Sequence, residues 1–146
     1  MNVENAVVPN HEQMKSFSEQ GPDQAIYMVN LLKYKEKAEY PDGRTTNLSG
    51  AEAYALYGEA VIGHLAKVGG RPVFSGEVTQ LTLGAVEELW DDIAIAMYPN
   101  RKAMMTMMMD ADFQQSSIHR TAGLEGQLNI ETVASTKLAL NPEMDP

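Results

Sequence analysis

Leu89–Asn100 reads Leu-Trp-Asp-Asp-Ile-Ala-Ile-Ala-Met-Tyr-Pro-Asn. In an extended chain successive side chains point to opposite sides. Ile93, Ile95 and Met97 therefore share one face, and Trp90, Ala94, Ala96 and Tyr98 share the other. Both faces are apolar, which is the pattern of a strand covered on both sides. Pro99 ends the strand, and Asn100 is a good helix cap. Asp91 and Asp92 interrupt the apolar run at its start, one on each side. A buried carboxylate needs a partner or takes up a proton.

Working outward, Asn10 and Gln13 form a capping box for a short helix that Gly21-Pro22 stops. Gln24–Tyr34 is rich in Ile, Val, Leu and Tyr and reads as a central strand. Pro41-Asp42-Gly43 marks a turn in the polar loop after it. Over Gly50–Val68 the residues Tyr54, Tyr57, Val61, Leu65 and Val68 recur every three or four positions, the mark of one helical face. Ser49 and Glu52 cap that helix, and Gly69-Gly70 stops it. Arg71–Leu83 reads as a second strand with a candidate bulge at Gly76. Leu89–Tyr98 is the third strand. A helix over Arg101–Met109 restarts at Asp110 or Asp112 and runs to about Arg120, with Gly123 as its stop. Leu124–Val133 is the fourth strand, with Leu124, Leu128 and Ile130 on one face and Glu125, Gln127, Asn129 and Glu131 on the other.

After the extra N-terminal helix the order is β-α-β-β-α-β. This is the ferredoxin-like arrangement, an α+β fold with a four-stranded antiparallel sheet and both helices on one face. Residues 1–9 read as a leader, 10–138 as one domain, and 139–146, acidic and twice interrupted by proline, as a disordered tail. No further element remains for the second face of the third strand. A second copy of the chain is the expected cover, giving a homodimer through the sheets.

The chain has 146 residues and a net charge of −9, from 11 basic and 20 acidic side chains. That balance repels nucleic acid and anionic lipid, so neither is an expected partner. Without cysteine there are no disulfides, thiolate metal sites or thiol nucleophiles. No run reaches the roughly 18 apolar residues of a membrane span, and a cytoplasmic protein is expected. Lys33, Lys35 and Lys37 alternate as on a solvated strand edge. His11, His64 and His119 show no metal-ligand spacing. No phosphate loop or dinucleotide fingerprint is present. Neither a metal nor a cofactor is expected.

The candidate site residues are the polar groups on otherwise apolar elements. They are Asn30, Tyr54, Asp91, Tyr98, Arg101 and Arg120, with His119 beside them. One reading pairs Asp91 permanently with Arg101 or Arg120, pinning the last helix to the third strand. The other makes Asp91 a general base and an arginine the stabiliser of a developing oxyanion. Tyr54 and Tyr57 are core positions whose hydroxyls could orient a phenolic or carbonyl substrate. The methionines at 104, 105, 107, 108 and 109 surround their helix, so some must meet a partner subunit or solvent.

Asn30-Leu31-Leu32-Lys33-Tyr34-Lys35, Tyr54, Tyr57, Gly69-Gly70, Trp90-Asp91, Tyr98-Pro99-Asn100-Arg101 and Arg120-Thr121-Ala122-Gly123-Leu124 together resemble the family of domain of unknown function 1330. The likeness spans about residues 25–132. Asn100 departs from the family's usual serine without loss of capping. The resemblance implies a dimeric α+β barrel and leaves the activity open. The wider superfamily holds cofactor-free monooxygenases, isomerases, cyclases and stress proteins, with ligands between sheet and helices. Two functions follow as expectations. One is cofactor-free chemistry on a small aromatic or carbonyl compound. The other is a non-catalytic metabolite-binding or accessory dimer. An open cavity with convergent polar groups favours the first, and a filled one the second.

Overall fold

The structure, a computed structural model, describes residues 3–19, 21–138 and 140. The expected disordered tail therefore lies almost wholly outside the described residues. The elements are α1 (His11–Ser18), β1 (Ile26–Tyr34), α2 (Gly50–Lys67), β2 (Arg71–Glu77), β3 (Asp92–Tyr98), α3 (Arg101–Met109), α4 (Ala111–Gly123) and β4 (Leu124–Thr132). The strands form one antiparallel sheet in the order β2-β3-β1-β4. The fold is ferredoxin-like, with the crossover helices on one face.

The caps are where the sequence puts them. Asn10 with Gln13 and Ser49 with Glu52 form complete capping boxes, and Asn100 accepts from the amide of Ala103. Asp110 ends α3 and, accepting from the amides of Asp112 and Phe113, starts α4. One carboxylate thus breaks the last helix in two. Ile26, Met28 and Tyr98 of the sheet pack against Leu65, Met107 and Phe113 of the helices. Met107 is buried while Met109 is 74% exposed, so the methionine helix is amphipathic only in part.

Several boundaries differ from the sequence expectation. Val78–Leu83 and Leu89–Asp91 lie outside the strands, because the register of β2 on β3 ends at Glu77 and Asp92. The β2 irregularity falls between Pro72 and Phe74, not at Gly76. In β4 a register shift pairs Tyr34 with Leu124 and Lys33 with Gly126. This turns Leu124 to the helix side, opposite Leu128 and Ile130. Lys33 is not on an edge at all. It lies in the central strand and donates to the carbonyl of Leu89 (3.1 Å) while pairing with Glu88 (3.0 Å).

By register, Val29, Leu31, Ile93, Ile95, Phe74 and Ile130 face away from the helices. Phe74 and Ile130 are 58% and 46% exposed. The leader is tied to the sheet, since the amide of Ala6 donates to the carbonyl of Gln127 (3.1 Å).

At one end the helices are locked by backbone. The amide of Lys35 donates to the carbonyl of Gly123 (2.8 Å), and the amide of Gly50 donates to the carbonyl of Lys35 (3.1 Å). A Cβ on Gly123 would strike the carbonyl oxygen of Gly50 and come within 2.9 Å of the amide nitrogen of Tyr54. Rigid backbone on both sides cannot yield as a side chain would. Gly123→Ala should therefore destabilise the fold by about 3 kcal/mol, the upper end of overpacking costs. Urea unfolding should show it as a lower midpoint with an unchanged slope.

Candidate functional site

Helix α2 packs chiefly on α4 and sets Leu65, Tyr57 and Val61 toward Ile26, Met28 and Tyr98 of the sheet. An open space of about 1320 Å³ runs over both faces of the sheet, since the outward-facing Phe74, Ile93, Ile95, Leu128 and Ile130 line it as well as residues of α2, α3 and α4. The part between sheet and helices is the candidate cavity. There the helix-facing positions of β1, β3 and β4 supply the floor and α2, α3 and α4 the roof.

A polar line crosses the floor. Arg120 donates to Gln127 Oε1, and Gln127 Nε2 donates to Asn30 Oδ1 (2.6 Å). Asn129 also donates to Asn30 Oδ1, and Asn30 Nδ2 donates to the carbonyl of Ala94 (3.0 Å). The amide expected to need partners therefore has them on both ends. Beyond Asn30, Tyr34 OH donates to Asp92 Oδ2 (2.5 Å). Asp92 Oδ1 has no hydrogen-bond partner among the described residues, and Asp92 forms no ion pair there.

Aromatic rings form the wall. Tyr34 to Tyr54 and Tyr54 to Tyr57 are each 5.4 Å between ring centres, and Tyr57 meets Phe113 edge-on at 6.1 Å. The hydroxyls of Tyr54, Tyr57 and Tyr98 have no hydrogen-bond partner among the described residues, yet none is sealed from the cavity. Burial pushes the ionisation of all three up. Burial and the bond to Asp92 do the same for Tyr34. These phenols are neutral hydrogen-bond donors. The Arg120 charge acts on both Tyr54 and Tyr57, and Asp92 acts on Tyr54 from its own side.

Of the residues singled out from sequence, Asn30, Tyr54, Tyr98 and Arg120 line this cavity. The other three do not join them. Asp91 accepts from the amide of Tyr34 (2.9 Å) and pairs with Lys33 (3.5 Å), so the expected Asp91–arginine pair is not formed. Asp92 is the carboxylate that enters the cavity, because β3 begins with its side chain on the helix face. Arg101 forms a two-point pair with Glu131 (2.7 and 2.8 Å) and donates to the carbonyl of Ser16 (3.3 Å), which ties α1 to the sheet end. His119 Nδ1 meets Tyr40 OH (2.7 Å) on the far side of α4. Trp90 does not line the cavity, so the aromatic plug that a filled pocket would need is missing that member.

Tyr34, Gln127 and Asn129 also line the cavity though none is a candidate from sequence, and so does Asp92, the neighbour of the candidate Asp91. Parity was the available signal. Tyr34 shares its face with Asn30, and the polar face of β4 follows the same rule. Among the described residues no three His, Asp or Glu side chains gather as a metal site, and no helix is long and apolar enough to cross a membrane.

RPA0582 of Rhodopseudomonas palustris, a protein of unknown function, superposes with a TM-score of 0.80 at 30% identity, covering 90% of this chain and 98% of its own. Its methylated form gives 0.81 at 32% identity, covering 90% and 96%. The chain belongs to the RPA0582 family. No family model matches the chain, and no curated protein does. SnoaB of Streptomyces nogalater, a cofactor-independent oxygenase, superposes with a TM-score of 0.51 at 12% identity, covering 80% of this chain and 98% of its own. At that identity it shares the fold of the RPA0582 family alone.

The tyrosine wall makes a spectroscopic prediction for this RPA0582-family chain. A raised folded-state value means stability is fully present below the ordinary tyrosine range and is lost as pH climbs through the raised values. Phenolate absorbance from Tyr34, Tyr54, Tyr57 and Tyr98 should therefore appear only above about pH 10 and together with loss of structure. Tyr54→Phe and Tyr57→Phe should each remove amplitude from that late phase.

Proposed function

We propose that this chain is a cofactor-free enzyme acting on a small carbonyl or aromatic compound by proton transfer. The single observation behind the reading is the cavity's unused hydrogen-bonding capacity. Among the described residues, three neutral phenols without a partner and Arg120, bonded through Gln127 alone, face the same open space as a carboxylate with one free oxygen. These groups are open to the cavity, where water serves them, and a ligand that displaces that water can take up the same hydrogen bonds.

Asp92 takes the part that sequence gave to Asp91. Its free Oδ1 removes a proton from the carbon beside a carbonyl and returns it to another atom of the same molecule, so the sum is an isomerisation or ring closure. Tyr34 holds the carboxylate in place through Oδ2. Arg120, Tyr54 and Tyr57 donate to the enolate oxygen as charge develops. Asn30 and Gln127 position Arg120, and Tyr98 lines the wall. The likeness to a cofactor-independent oxygenase supports this fold as a host for chemistry without a resident cofactor, and no more than that.

The working unit is a cytoplasmic homodimer through the sheets, in keeping with the resemblance to the family of domain of unknown function 1330, with neither nucleic acid nor membrane as partner. The apolar outward face of Val29, Leu31, Ile93 and Ile95 supports it. Light scattering should return twice the chain mass, and Ile95→Glu should return the chain mass.

Mass spectrometry of small molecules carried through purification, then a screen of tautomerisable carbonyls, phenols and lactones in chelator, tests the chemistry. Asp92→Asn keeps an acceptor for Tyr34, so it should leave the melting temperature close to wild type and cut turnover by about 10²-fold or more. Arg120→Gln should cut it by a similar factor. A bound metabolite with no turnover in any assay would replace the enzyme reading with the metabolite-binding one.

A further inference from the structure

The charges inside the cavity are few and unbalanced in a particular way. Glu131 is neutralised by Arg101, and Glu4 and Glu59 are exposed at the rim. That leaves Arg120, with no carboxylate partner among the described residues, and Asp92, with no cationic one there. Asp92 and Gln127, which holds Arg120, flank Leu32 of β1 on opposite sides, and Tyr54 feels both charges. The space between is walled by Tyr57, Tyr98, Phe113, Met28, Met104 and Met107. Aromatic rings and thioethers pack well on the face and edge of a flat ring.

A ligand that satisfies this interior needs an anionic oxygen at the Arg120 end and a hydrogen-bond donor at the Asp92 end. A second negative charge would face the Asp92 carboxylate, and like charges that close repel. A wholly neutral ligand would leave Arg120 without a counter-charge.

We propose that the cavity selects flat aromatic monoanions bearing a hydroxyl group. The anionic group lies on Arg120, Tyr54 and Tyr57, and the hydroxyl donates to Asp92 Oδ1. This rests on the cavity being a ligand site and adds the charge and the orientation of what it takes.

Calorimetric titration of the intact protein with 3- and 4-hydroxybenzoate, benzoate, phenol and terephthalate tests it. At least one hydroxybenzoate should bind about ten-fold more tightly than both benzoate and phenol, since each end contributes a charge-assisted hydrogen bond. Terephthalate, with two charges, should bind most weakly. Arg120→Gln should weaken the hydroxybenzoate about ten-fold and leave phenol within about two-fold, while Arg120→Lys keeps most of the affinity. Asp92→Asn should strengthen terephthalate about five-fold or more, a gain that a misfolded variant could not show. Phenol binding as tightly as the hydroxybenzoates, or terephthalate binding as tightly, would overturn the charge rule while leaving the cavity a ligand site. Failure of every probe would overturn it as well, and the carried-through metabolite would still decide the broader reading by itself.

Discussion

Everything above the sheet hangs on one backbone junction, the carbonyl and amide of Lys35 held between Gly50 and Gly123. The first strand ends there, α2 begins there and α4 ends there. Two glycines are needed because the main chains approach too closely for any Cβ. The junction fixes the helices at one end of the sheet. At the other end, Ile26, Met28 and Tyr98 meet Leu65, Met107 and Phe113 in an ordinary apolar core. Between these two ends α2 and α4 pack mainly on each other, and the cavity lies beneath them.

That arrangement explains why polar residues are tolerated on the inner face of central strands. Asn30 is in the middle of the sheet, and a buried amide there costs about 1–3 kcal/mol if unpaired. Gln127, Asn129 and the carbonyl of Ala94 satisfy it. The polar line they make carries Arg120 to the cavity and fixes its side chain through Gln127. The polar side of β4, which faces the helices, is therefore part of the site. Its apolar side, Leu128 and Ile130, faces outward with the rest of the uncovered sheet.

Much of this architecture is legible in the residues. Caps at Asn10, Ser49 and Asn100 set helix starts within a residue, because capping is local chemistry. Element order follows from period and punctuation. What fails is whatever depends on partners. Val78–Leu83 has strand-like composition, yet its pairing stops with the bond from the Val78 amide to the Asp91 carbonyl (2.9 Å), so it is not strand. The Gly50–Gly123 approach joins positions far apart in the chain, and single residues read only as helix stops and starts. The same limit applies to the site. Asn30, Tyr54, Tyr98 and Arg120 are found as polar groups out of place, while Asp91 is chosen over Asp92 because alternation gives two faces and does not say which one the helices cover.

Asp91 and Asp92 serve different ends. Asp91 is used by the fold, receiving the amide of Tyr34 and the ammonium of Lys33 where β1 leaves the sheet. Two adjacent carboxylates thus divide their work by parity. One closes the strand end, and the other, one residue later, points into the cavity against Tyr34. Tyr34 joins the two, since its amide binds the first and its hydroxyl the second. Any shift that frees Asp91 also moves the residue that holds Asp92. The carboxylate in the cavity is therefore positioned by the same strand end that leads, one residue on, into the Lys35 junction. The constraint that raises the helices over the sheet also aims the group beneath them.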